Sequence, residues 1–268
     1  MVRIDPDKCI QCGMCVRECP HRLLTNTESG ISASGEGCIQ CGHCVAVCPQ
    51  EAVSLTEYDM SEVERVPDET ERLDAAGLLR AIKSRRSIRH FKDCPVEDEK
   101  LLQIIEAARY SPTGANRQGV KYQLFRASKQ ELTEKTLTAL CKILEERPPQ
   151  VELELIDRYQ KRWPEMLYEY HEQGIDRLFY HAPAVLVISG NDRVDAALAA
   201  AHAELMAYAL GLGCVFVGFL EIAARTDEIR NYLALSPEQS VACCLAIGYP
   251  DIQYTRTAPR KKVDVVFR

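Results

Sequence analysis

The chain has few of the features that mark unusual protein classes. Its 14 glycines and 13 prolines are about a tenth of the 268 residues, which excludes a collagenous or low-complexity chain. Excess positive charge is missing: 33 Lys and Arg face 39 Asp and Glu, for a net charge of −6. A general nucleic-acid binder, which draws its affinity from neutralising phosphates, is not expected. Long apolar runs are also missing. The longest uncharged run, Leu205–Leu220, has 16 residues and contains Gly211, Gly213 and Gly218. A membrane span needs about 20 residues, so the run reads as a buried helix entering a buried strand and no membrane partner is expected. Met1 to Cys9 carries Asp5, Asp7 and Lys8 with no apolar core, so no secretory signal is read there. A reducing, cytoplasmic location is expected, in which thiols serve as ligands rather than disulfides.

Cysteine is what the chain has in excess. Eight of its 13 cysteines fall within residues 9–48. The run CIQCGMCVRECP at 9–20 recurs as CIQCGHCVAVCP at 38–49, with nine of twelve positions identical at an offset of 29. Each copy reads C-x2-C-x2-C-x3-C-P, the run that carries cubane iron–sulfur clusters. Three closely spaced thiolates wrap one cluster, and the fourth sits too far round the following helical turn to join them. The expected ligand sets are therefore crossed: Cys9, Cys12, Cys15 and Cys48 for one [4Fe–4S] cluster, and Cys38, Cys41, Cys44 and Cys19 for the other. Pro20 and Pro49 end the ligand helices. Gly13 and Gly42 let backbone N–H groups approach the sulfides. A double zinc module would separate two C-x2-C knuckles by a longer spacer, which neither copy has. The stretch 1–58 resembles the bacterial two-cluster ferredoxins.

Residues 59–74 are rich in Asp and Glu and poor in large apolar side chains, and read as a solvated acidic linker. Beyond it, Ala75–Ser84 has a helical pattern with Leu78, Leu79 and Ile82 on one side. A helix from Pro95 through Tyr110 is expected to bury Leu101, Leu102, Ile105 and Ala108. Strands are expected at Lys121–Ala127, Ala184–Ser189 and Ser240–Ile247, with Val215–Phe219 a strand or loop. Two or three charged helices fill Lys129–Gln173, and an Ala-rich helix covers Asp192–Leu210. Val263, Val265 and Phe267 alternate in a last strand. No G-x-G-x-x-G follows any strand, which argues against a Rossmann domain.

Four segments of residues 75–268 stand out together: RRSIRHF (85–91), SPTGANRQ (111–118), GLGCVFVGF (211–219) and AIGYP (246–250), followed by a basic tail before the final strand. The run Arg85, Arg86, Arg89 alone would read as a solvated charge run. In this order the segments resemble the FMN-dependent nitroreductase family. The resemblance implies an α+β fold, a central mixed sheet flanked by helices, and a homodimer with FMN at its interface. It implies that Arg85, Arg86 and Ser87 hold phosphate and ribityl oxygens, and that Arg89 is the cation at the pyrimidine end of the ring. Pro112, Thr113 and Asn116 match the loop from the partner subunit. Val217 and Gly218 match the backbone N–H groups near flavin N5 and O4, and Arg256 and Arg260 the phosphate-binding residues of the tail. The final strand would reach across to the partner. Gln118-Gly119-Val120 replaces the Gln-Pro-Trp common in the family, and Val217 replaces a glutamate found in some members. These departures touch substrate class and not FMN.

The expectation is thus α+β throughout: a ferredoxin-like module at 1–58, and a flavin domain at 75–268. The expected activity is flavin-dependent reduction of a small acceptor, fed by two [4Fe–4S] clusters and possible external low-potential donors. No protein acid or base is nominated. The rivals are an electron-transfer protein serving a protein partner, and a flavin-remodelling or dehalogenating member of the same family. Cys94, Cys141, Cys214, Cys243 and Cys244 read as small core residues, with Cys214 the one placed near the expected flavin loop. His43 and His90 read as structural or cluster-tuning rather than catalytic, and Trp163 as a packing residue.

Overall fold

The duplication in the cysteine motif extends to the backbone around it. The computed structural model describes residues 1–66 and 73–268. These form two units: Met1–Arg72 with Thr113–Arg117, and Leu73–Pro112 with Gln118–Arg268. Part of the expected linker, residues 67–72, lies outside the described residues. Before it, Met60–Glu62 form a 3-10 turn capped by the Asp59 carboxylate, which accepts the Ser61 N–H at 2.9 Å.

In the first unit the elements are β1 (Val2–Ile4), α1 (Met14–Glu18), β2 (Leu24–Thr27), β3 (Gly30–Ala33), α2 (His43–Ala46) and β4 (Val53–Leu55). Shifting the first three by the 29-residue offset of the repeat lands on the last three. Pairing crosses the copies. β1 pairs antiparallel with β4, Ile4 opposite Val53, and β2 pairs with β3, Leu24 opposite Ala33. The core beneath is small: Cys15, Leu24, Cys44 and Val53 are buried, with Val2, Ile4, Ile31 and Val45 packed on them.

The second unit is larger and holds the remaining elements. α3 (Ala75–Ser84), α4 (Asp98–Arg109), β5 (Lys121–Phe125), α5 (Lys129–Glu146), α6 (Leu153–Tyr159) and α7 (Arg162–Gln173) come first. β6 (Ala184–Gly190), α8 (Arg193–Ala209), β7 (Gly213–Phe216), α9 (Gly218–Ala223), α10 (Asp227–Tyr232) and β8 (Ser240–Gly248) follow. The sheet order is β5-β6-β8-β7, antiparallel throughout. The sheet strands are thus not mixed as expected; the parallel pairing seen among the described residues is an isolated bridge from Ser87 to Cys214.

Strand β6 is buried along its whole length because helices cover both faces of the sheet. Val185 and Val187 face one apolar cluster, built with α5, α6, α7, α9 and α10. Leu186 and Ile188 face the other, built with α4 and α8. That alternation is the two-residue period of a strand. On β8, Val241 faces the first cluster and Ala242 the second. The pairing slips at Ile188/Ser189, as a bulge requires. On α8 the buried stripe is Ala196, Ala199, Ala200, Ala203 and Ala207, small enough for α4 to pack closely. Its N-terminus is capped by Asp192, which accepts from the Val194 N–H at 2.8 Å.

Some expected details differ. On α4 the buried residues are Leu101, Ile104 and Ala108, while Leu102 faces solvent. The helix begins at Asp98 rather than Pro95, and its buried residues are spaced three and four apart on one face, with Leu102 off that face. α3 buries none of its residues, and Leu79 and Ile82 are about half exposed. The alternating segment at 262–267 is not a strand, and Phe267 is 93% exposed. Period-two patterning gives a strand only beside an edge that pairs with it, and none among the described residues does so here.

Two glycines paired across β7 and β8, Gly213 and Gly248, make room for the segment 85–91. A Cβ on Gly213 would stand 2.3 Å from Ile88 Cγ1, and one on Gly248 2.9 Å from Phe91 Cδ1. Gly213→Ala is therefore expected to cost about 1–3 kcal/mol, as overpacking does. Thermal unfolding of the second unit would show it, and Ile88→Ala in the same chain should recover part of the loss. An unchanged midpoint would show that the segment yields freely.

Candidate cofactor sites

The crossed strands bring the cysteines together in crossed sets. Cys9 follows β1 and Cys48 precedes β4, so the pairing of those strands places both thiols at one end of the unit. The same logic joins Cys19, before β2, to Cys38, after β3. One cavity is lined by Cys9, Cys12, Cys15 and Cys48. A second is lined by Cys19, Cys38, Cys41 and Cys44. Among the described residues no three His, Cys, Asp or Glu converge as a single-ion site.

The loops carry the same strain in both copies. Gln11 (φ 55°) and Gly13 (φ 71°) match Gln40 (φ 53°) and Gly42 (φ 73°). Left-handed backbone costs a non-glycine residue about 1–3 kcal/mol and turns consecutive N–H groups toward one side. Cys19 Sγ accepts the N–H of Leu23 at 3.4 Å, and Cys48 Sγ that of Ala52 at 3.3 Å. Burial pushes the Cys15 and Cys44 thiols up, offset in part by the N–H groups of Val16 and Val45. Four thiols, apolar walls and backbone donors form a set that suits a cubane cluster, whose negative charge the N–H groups stabilise. His43 opens α2 and lines the second cavity.

In the second unit, segment 85–91 runs beside β7. The Ile88 N–H donates to the Cys214 carbonyl at 3.0 Å. Arg85 is half-buried and its Nη1 donates to Glu204 on α8 at 2.7 Å. Burial raises the Glu204 carboxyl, and Arg85 offsets part of that rise. The pair uses one of the five donors of the Arg85 fork. Arg86 lies over the Tyr254 ring at 5.9 Å, and Arg89 over the Tyr180 ring at 5.8 Å. The Lys92 N–H donates to the Tyr249 carbonyl, and the Asp251 N–H to that of His90, both at 2.8 Å. These bonds lay the start of the tail along the segment. Ser111 and His202 are joined at 2.7 Å behind Pro112.

Other expected residues are placed differently. The Val217 N–H donates to the Cys244 carbonyl at 2.8 Å, so it is spent in the fold and not presented to a ligand. Gly218 opens α9, and the place a Cβ would take there is open space. Thr113 and Asn116 group with the first unit, where the Asn116 amide is bonded to the loop of the second cysteine motif. Arg256 and Arg260 are on the exposed tail, and Arg260 donates to its neighbour Pro259. Cys214 is buried and its thiol is pushed up to about 12, which makes it inert as a nucleophile. Trp163 is fully buried between Tyr159 and Phe219.

Three residues of this region escaped the sequence reading: Glu204, Tyr180 and Tyr254. Glu204 had a signal, a carboxylate beyond the first turn of an Ala-rich helix with a buried stripe. Tyr180 had none. Its left-handed φ of 57° belongs to a turn held by Asp176, which accepts the N–H groups of Leu178, Phe179 and His181.

The comparisons with known proteins follow the same division. Residues 1–49 match a 4Fe-4S dicluster domain. Residues 82–249, more than half of the chain, match the Nitroreductase family. The chain belongs to the nitroreductase family, as an oxidoreductase that carries a 4Fe–4S dicluster domain. It is 25% identical over 197 residues to a 4-nitrobenzoate reductase of Pseudomonas putida, covering 63% of this chain and 84% of that protein. Its fold is similar to that of a nitroreductase with bound FMN from Bacteroides fragilis, with a TM-score of 0.55 and 23% identity over 70% of this chain and 98% of the other. A nitroreductase with bound FMN from Desulfitobacterium hafniense gives 0.53 and 24%, over 70% and 97%. Both resemblances drawn from the motifs hold. Among the described residues no helix is long and apolar enough to cross a membrane.

Two expectations follow from this geometry. With crossed ligands, Cys19→Ser should disturb the paramagnetic signal that Cys41→Ser also disturbs, and spare the one altered by Cys12→Ser. Shared loss with Cys12→Ser instead would mean uncrossed ligation. Separately, the Glu204 carboxyl is raised above its ordinary 4.5 in the folded chain. The folded state thus holds this proton more tightly, so its contribution is full below about 4.5 and is lost as pH rises through the folded value. Glu204→Gln should flatten that part of the stability profile, read by denaturant unfolding from pH 4.5 to 7. An identical slope in both proteins would remove Glu204 from the linkage.

Proposed function

We propose that the chain is an iron–sulfur flavoprotein reductase. Two [4Fe–4S] clusters would feed FMN in the second unit, and the acceptor is a small electrophile of nitroaromatic or quinone class. The observation that carries the reading is the pair of four-thiol cavities in a chain of the nitroreductase family. The FMN of the Bacteroides and Desulfitobacterium proteins supports the cofactor, and the name of the Pseudomonas relative supports a nitroaromatic acceptor. The working form is a cytoplasmic homodimer through the second unit.

When bound, FMN supplies two-electron reduction and the clusters supply single electrons. The protein's own residues bind and tune. Arg85, braced by Glu204, keeps the rest of its fork for a phosphate, and Arg86 and the Ser87 hydroxyl stand beside it in sequence. Arg89, steadied by Tyr180, provides a cation for a ring that gains negative charge. Gly218 leaves room for a flat ligand to approach the backbone. Arg256 and Arg260 would add charge from the tail, and Pro112 and Thr113 border the site from the partner's side.

The test is anaerobic turnover of 4-nitrobenzoate by the full-length holoprotein, with a reduced ferredoxin as low-potential donor. Turnover is expected, and Cys41→Ser should bring it near background while dithionite still bleaches the flavin. Undiminished turnover in Cys41→Ser would show that the clusters are not the input. Reduced clusters and flavin with no turnover of nitroaromatics or quinones would assign the chain to electron transfer with a protein partner.

A further inference from the structure

The two cysteine motifs share nine of twelve residues, yet the structure treats their loops differently. In the second copy the Asn116 amide nitrogen donates to the carbonyls of Ile39 at 3.1 Å and Gln40 at 2.9 Å. It also stands 3.5 Å from the Tyr58 hydroxyl. Asn116 belongs to the same unit as this loop by its contacts. Two carbonyl acceptors fix the orientation of the amide, because its oxygen has nothing to donate. The equivalent residues of the first copy, Ile10 and Gln11, are exposed, and no side chain among the described residues donates to their carbonyls.

The clamp lands at a strained point. Gln40 is left-handed at φ 53°, and it lines the second cavity together with Cys41 and Gly42. Asn116 is itself left-handed at φ 53°, beside Ala115 at φ 51°. Each clamped carbonyl shares a peptide with the next N–H, Ile39 with Gln40 and Gln40 with Cys41. A carbonyl that accepts a hydrogen bond makes the N–H of its own peptide a stronger donor. The amide also places the positive end of its dipole on this loop. Both effects favour added negative charge in the second cavity and leave the first untouched.

We infer that Asn116 is a positioning residue for the cluster held by Cys19, Cys38, Cys41 and Cys44, and that it raises the potential of that cluster above that of its twin. The inference rests on the cluster assignment proposed above and does not depend on the substrate. It also makes the two halves of the duplication unequal, which the near-identical motifs alone do not.

The test is a redox titration of the full-length holoprotein followed by electron paramagnetic resonance. Asn116→Ala removes the donor, and Asn116→Asp replaces it with a negative charge. One midpoint should fall in Asn116→Ala and fall further in Asn116→Asp, while the other stays in place. The moving signal should be the one that Cys41→Ser alters. Loss of that cluster alone, with the other intact, would support the inference equally. Two unmoved midpoints, or an equal shift in both, would overturn it. Unmoved midpoints with depleted FMN on the same samples would assign Asn116 to the flavin instead. The midpoints are read whether or not any acceptor is turned over, so failure of the proposed reductase activity would be seen separately.

Discussion

The exchange of strands between the two halves of the first unit is the constraint from which its chemistry follows. β1 pairs with β4 and β2 with β3, so the end of each copy is bound to the beginning of the other. A cysteine that follows one copy's helix is thereby carried to the loop of its twin. The thiols around each cavity come from both copies because the sheet pairing is crossed. The shared offset of strands, helices and left-handed residues shows how completely the duplicated sequence dictates a duplicated backbone.

The second unit solves a different problem, the placing of a basic segment against a sheet. Three arginines within five residues repel one another and prefer water. Here backbone bonds to Cys214, Tyr249 and Asp251 hold the segment, and the missing side chains of Gly213 and Gly248 give it a seat. Each arginine then meets its own neighbour: Glu204, Tyr254 or Tyr180.

Much of this was legible in the sequence, in physically distinct ways. The cluster motif is local and duplicated, so its spacing pointed to the crossed sets that the strand pairing builds. The continuous apolar run at Ala184–Ser189 and the Ala-rich helix were legible because burial on both faces, or close helix packing, leaves a compositional mark. Less legible were features that depend on distant partners. The apolar residues of α4 offer two adjoining stripes, and packing against α8 chose the one with Ile104 over the one with Leu102. The alternation at 262–267 had no edge to pair with. The commitment of the Val217 N–H to Cys244, and of the Asn116 amide to Ile39 and Gln40, is set by tertiary register that no local pattern encodes.

The small core of the first unit has a consequence for how this end of the chain matures. Six buried apolar residues, Cys15, Leu24, Cys44, Ala52, Val53 and Leu55, are few for an independently folding body of this size. A cluster joining Cys9 to Cys48 closes a loop of about 40 residues, and by the arithmetic used for covalent cross-links such a closure contributes about 4 kcal/mol. A bound cluster would then be a staple as well as a carrier of electrons. Because the two thiol sets interlock, neither half of the duplication would be stapled without the other being drawn into place. Iron supply and folding would become one event for this unit, and oxidative loss of a cluster would expose its chain to proteolysis while the larger unit keeps its own core.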